Sequence, residues 1–165
     1  MNFQLEHLFR NISLEDFEKL YFDEDLNVAL CKEVNLGRDV QERDVTDEHI
    51  KRVIKVSPDR QIPAPVAKVI GGQKLEYTEY LNYKWGSLKG EWKTVSSIMS
   101  DKIDTKGTFS FVETPQGVRR LVDGHVKVKV FGVGKIVETL VVADVKKGFE
   151  DAANFTQKWI NEKLA

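Results

Sequence analysis

His7, His49, His125 and the single thiol Cys31 are the side chains on which metal chemistry in this sequence would have to rest. The histidines are far apart, and no Cys/His spacing resembles the clip of a structural zinc site. They therefore read as structural or surface residues, no metal or cofactor is expected, and Cys31 reads as a core thiol without a disulfide partner. Ser96-Ser97 lies in a strand-like stretch without the Gly-x-Ser-x-Gly elbow that presents a nucleophilic serine. Gly132-Val133-Gly134-Lys135 lacks the spacing and the Ser or Thr of a phosphate loop, and a strand-to-helix turn accounts for its glycines. Asn154-Phe155-Thr156 matches a glycosylation acceptor, but it falls inside a helical stretch of a chain that shows no export signal.

Two charges in apolar company are more informative. Arg52 alternates in phase with Ile50, Ile54 and Val56, and Glu79 with Tyr77, Leu81 and Tyr83. That parity turns both charges inward, where an unpaired charge is costly. They could pair with each other or orient a ligand headgroup, whereas a local bulge would put either one in water. Tyr77, Tyr83, Trp85, Trp92, Phe109, Phe111, Phe155 and Trp159 are large enough either to line a cavity or simply to fill a core.

The elements that must position these residues follow from periodicity. Phe3, Leu5, His7 and Phe9 share one face of a first strand. Ser13 then caps a short helix with Glu15 and Asp16 in its first turn, and Asp23 or Asp25 opens a second that ends near Gly37. Alternation returns from Arg38 to Asp47 and from Ile50 to Pro58. A proline-led insertion follows, with Pro65 starting a short helix closed by Gly71-Gly72. Four more strand segments, roughly 74–85, 87–99, 105–114 and 117–130, have the spacing of an antiparallel meander. Leu88, Trp92 and Ile98 share one face of the second, and Val126, Val128 and Val130 alternate with Lys127 and Lys129 in the last. The proline-free stretch from Lys135 to Leu164 fits a helix of some eight turns, in which Gly148 marks a bend, a close approach to the sheet or a tolerant site.

The 165 residues suit a single domain spanning 1–165, and 41% hydrophobic with 31% charged residues and a net charge of -1 is ordinary for a folded protein. Basic residues are scattered among acids, so the aromatic-studded basic surface that nucleic acid requires is absent and no nucleic acid partner is expected. The N-terminus has no apolar h-region, and no apolar run approaches the ~20 residues of a membrane span. A soluble, cytoplasmic protein is expected.

This order of elements, with Arg52, Pro58, Ile62-Pro63, Trp85, Gly117-Val118-Arg119-Arg120 and the run Val133-Gly134-Lys135-Ile136-Val137-Glu138, resembles the START-like (helix-grip, SRPBCC-type) superfamily. Within it, the chain is similar to an uncharacterised bacterial family of unknown function. Phe131-Gly132 stands where relatives often carry a proline before the glycine turn. The resemblance implies an α+β helix-grip fold: a seven-stranded curved antiparallel sheet, two short helices after strand 1, and a long C-terminal helix packed on the concave face. It also implies binding or transfer, without catalysis, of a lipid or other hydrophobic small molecule between sheet and helix. Transient membrane contact is compatible with such a role. The candidate lining residues are Arg52, Tyr77, Glu79, Leu81, Tyr83 and Trp92, then Phe109, Phe111 and Val128, and from the helix Val141, Phe155 and Trp159. Two alternatives share the fold. One is a cyclase- or dehydratase-like enzyme using Arg52, Glu79 or a tyrosine as acid or base, and the other is a protein-interaction module whose cavity has collapsed.

Overall fold

The computed structural model describes residues 1–59 and 61–164. Its elements are β1 (Asn2–Arg10), α1 (Leu14–Tyr21), α2 (Glu24–Glu33), β2 (Leu36–Val45), β3 (His49–Pro58), α3 (Ala64–Val69), β4 (Tyr77–Lys84), β5 (Lys89–Ser96), β6 (Ile103–Thr114), β7 (Gly117–Val128) and α4 (Gly134–Lys163). The strands form one antiparallel sheet in the order β1-β7-β6-β5-β4-β3-β2, so a six-strand meander is completed by β1 pairing along β7. This is the α+β helix-grip architecture that the sequence implied.

Local chemistry explains the helix starts. Ser13 Oγ accepts from Asp16 N at 3.1 Å to cap α1. Asp23 Oδ1 accepts from Leu26 N at 3.0 Å, which makes Asp23 rather than Asp25 the cap of α2. The strand face expected to run from Leu88 through Trp92 to Ile98 is shorter than that. Leu88 and Met99 adopt positive φ in the flanking turns, and Ile98 N donates to Ser96 Oγ, so β5 stops at Ser96. Likewise β7 ends at Val128, two residues before Val130.

The register sorts side chains cleanly between two faces. Phe3, Leu5, His7 and Phe9 of β1 lie level with Gly124, Val122, Arg120 and Val118 of β7 on the face turned toward α4. Three glycines on that face carry the ring of the neighbouring strand. A Cβ on Gly90 would lie 2.2 Å from the Phe109 ring, one on Gly107 2.6 Å from the Trp92 ring, and one on Gly124 2.1 Å from the Phe3 ring. Each missing side chain lets an aromatic lie flat on the sheet, so part of the floor is paved rather than studded.

Above this floor, α4 approaches β7, β1, α2 and α3. Among the described residues no Cα of α4 comes within 8 Å of β3, β4, β5 or β6. Val137, Val142, Ala153, Thr156 and Ile160 form its buried stripe. Gly148 is not a point of close approach, because a Cβ there would meet nothing within 4 Å. No helix among the described residues is long and apolar enough to cross a membrane.

Candidate functional site

The residues with inward parity fall into three groups. The first is a packed aromatic cluster under α1, where Tyr83, Phe109 and Phe111 join Phe17, Tyr21 and Phe22 with ring centroids 4.7–6.2 Å apart. Tyr83, Phe109 and Phe111 are essentially inaccessible, so these three lining candidates serve as core. Tyr83 Oη donates a short hydrogen bond to Glu18, and burial, then this carboxylate, push the phenol above its ordinary pKa.

The second group lies on β3 to β5. Trp92 is half-buried over Gly107, with Leu81 buried beside it on β4 and Arg52 buried on β3. Arg52 Nη2 lies 3.5 Å from Glu79 Oε1, so these two charges do pair, at the long end of an ion pair. Glu79 and Tyr77 remain partly exposed. Nearby, Arg38 grips Glu24 of α2 through two bonds of 2.8 Å, and Arg43 adds a contact at 3.4 Å. The hydrogen bond from Arg38 pulls the Glu24 carboxyl below its usual range, while burial pushes the half-buried Cys31 thiol up.

The helix residues and Val128 complete the placement. Val128 is buried, and its backbone N–H donates at 2.9 Å to Glu138, which holds that carboxylate below its usual range. Val141, Phe155 and Trp159 are partly buried along one flank of α4, with the Phe155 and Trp159 rings 6.2 Å apart.

The third group was not among the candidate lining residues, although His7 and the Gly117-Val118-Arg119-Arg120 run stood out in the sequence. Arg120, 3% exposed, lies with its guanidinium carbon 5.0 Å from the Phe149 ring, 5.3 Å from Phe9 and 5.9 Å from Tyr21. Its Nη2 donates to His7 Nδ1 at 3.0 Å and to the Phe149 carbonyl at 3.4 Å. Burial, then the adjacent guanidinium, hold His7 below its ordinary pKa, and burial lowers that of Arg120. The parity test that picked out Arg52 would have found Arg120 as well, between Val118 and Val122. Its aromatic cage, drawn from β1, α1 and α4, has no local signature.

A further concavity lies on the sheet. An open groove of about 1330 Å³ crosses the sheet along two rows, Asn2-His125-Lys106-Lys93-Tyr80-Val53-Glu42 and Gln4-Asp123-Thr108-Glu91-Asn82-Lys51. By register these rows belong to the outward face of their strands, and the same groove is bordered by Phe3, Arg52, Leu81, Trp92, Gly107 and Gly124 of the inward face and by Lys146 of α4.

Comparison with other proteins agrees with this architecture. The family described as a protein of unknown function (DUF2505) matches residues 9–160. No curated protein matches the chain. Among solved structures, a START superfamily protein from Mycobacterium smegmatis superposes with TM-score 0.57 at 17% identity, covering 100% of this chain and 98% of its own. The Zhui aromatase/cyclase from Streptomyces sp. R1128 gives TM-score 0.63 at 9% identity, with 100% and 97% covered. Norcoclaurine synthase from Thalictrum flavum gives 0.58 at 15%, with 98% and 88% covered. At such identities the likeness is one of fold alone. With the family matched over almost its whole length and the helix-grip topology shared with these structures, the chain belongs to the DUF2505 family and has a START-like fold.

Proposed function

We propose that the protein binds a lipid or another hydrophobic small molecule between α4 and the inner face of the sheet, and that it does so without catalysis. The observation that carries this reading is the position of α4. It rests on β1 and β7 and stands away from β3 to β6. Trp92 and Tyr77 on the inward face of the sheet and Val145 and Phe149 on the helix are half-buried rather than fully packed. A space of this composition suits an apolar ligand. The test is native mass spectrometry and solvent extraction of protein purified without detergent, followed by displacement of a fluorescent lipid. A co-purifying apolar molecule and saturable displacement are expected. Absence of both would remove the reading.

A second reading, an enzyme acting on a hydrophobic substrate, draws on the buried His7-Arg120 pair, because a neutral imidazole in an apolar site can accept a proton. Recovery of a chemically altered ligand after incubation would favour it over simple binding. For delivery, Phe131 supports transient contact with a membrane, since it is fully exposed between Lys129 and Lys135 at the start of α4.

A further inference from the structure

Among the described residues, the buried side-chain polar atoms without a hydrogen-bond partner are Arg52 Nε and Nη1, Trp92 Nε1 and Arg120 Nε. All four are N–H donors on side chains of the inner face, and none is an acceptor. A buried donor left unmade costs a large part of its desolvation penalty, so each of the four marks a place on the inner face short of an acceptor oxygen.

The arginines differ in how their charge is met. Arg52 has Glu79 at 3.5 Å. Among the described residues Arg120 has no carboxylate within ion-pair distance, and what meets it is the His7 ring nitrogen, the Phe149 carbonyl and the Tyr21 side chain. The exposed acid Glu150 acts electrostatically on His7. The rings of Phe9, Tyr21 and Phe149 stabilise a cation but supply no counter-charge. A guanidinium held this way, with Nε open, matches one monovalent, planar oxyanion, whereas a dianionic phosphate would demand more donors than are present. His7 and Phe149, which meet the guanidinium, are themselves half-buried rather than fully enclosed.

We infer that the ligand of this site is a hydrophobic molecule bearing a single carboxylate, and that Arg120 holds the carboxylate through Nε. The inference rests on the binding reading above and names the ligand class for it. The experiment is displacement of Nile red, a neutral probe, by palmitic acid and by methyl palmitate, with wild type, Arg120→Met, Arg52→Met and Arg119→Met. Arg119 is the control, since it lies exposed on the other face paired with Glu6 at 2.8 Å. Wild type and Arg119→Met should prefer the acid over the ester by about tenfold or more, the scale of one hydrogen bond to a charged group. Arg120→Met should bring the two ligands within about twofold of each other.

Equal binding of acid and ester by wild type overturns the inference and leaves the binding reading intact, and it needs no variant to fold. A preference that survives in Arg120→Met, or that vanishes only in Arg52→Met, overturns it too. No uptake of Nile red and no binding of either ligand overturns the binding reading itself, and the inference with it.

Discussion

His7 shows what a single side chain contributes to the conduct of the whole protein. Burial, then Arg120, hold its pKa below the ordinary 6.5. The unfolded chain therefore takes up a proton at higher pH than the folded one, and stability falls as pH drops from 6.5 toward the folded value. Glu24 acts in a lower window. Arg38 depresses its carboxyl from 4.5, so the stability it contributes is present above that value and lost as pH falls through the folded pKa. Urea unfolding followed from about pH 7 to about pH 3 should thus show two successive losses. His7→Gln, which keeps an acceptor for Arg120, should flatten the first and spare the second. If the variant keeps the wild-type slope down to about pH 5, the neutral histidine is not its source.

At the scale of elements, glycines set how closely pieces approach, and two of them make opposite predictions. Gly124 of β7 lies under the Phe3 ring, and a Cβ would come 2.1 Å from it. Gly124→Ala must displace a buried ring and should cost roughly 1–3 kcal/mol. Gly148 of α4 meets nothing within 4 Å, so Gly148→Ala should add about 1 kcal/mol through helix propensity alone. Urea midpoints at constant m-value test both, and a destabilised Gly148→Ala would show that α4 needs a bend there. The capping residues Ser13 and Asp23 lie in sequence next to the turns they stabilise, which is why both helices are legible from the residues alone. Ring-on-glycine pairing is not, because each pair joins two strands through the register.

For the whole molecule, the question is how the apolar ligand we propose would reach the space beneath α4. The turn entering α4 presents Phe131 fully to solvent, with Ile136 exposed one turn on and Lys129 and Lys135 alongside. An aromatic flanked by cations suits the interface of an anionic bilayer. Phe131→Ser should leave the urea midpoint nearly unchanged, within about 0.5 kcal/mol, because it removes no packing. It should lower co-sedimentation with phosphatidylglycerol vesicles. Equal sedimentation of variant and wild type would remove this turn from any membrane contact.

Periodicity, caps and turn residues are short-range, and from them the sequence by itself determined the element order, most strand faces though not the one from Leu88 through Trp92 to Ile98, and the long final helix. They also placed Arg52 and Glu79 on the inward face, where the structure pairs them. Only the tertiary structure decided that Tyr83, Phe109 and Phe111 are packed core, and that an open groove takes in outward rows of the sheet together with Lys146 of α4. It also decided that Arg120, one basic residue among 25 in the sequence, sits caged by residues of three separate elements with a donor unmet. The reason is that inward parity is a property of one strand, whereas a partner, a packed ring or an open space above a side chain depends on what distant segments bring to the same place.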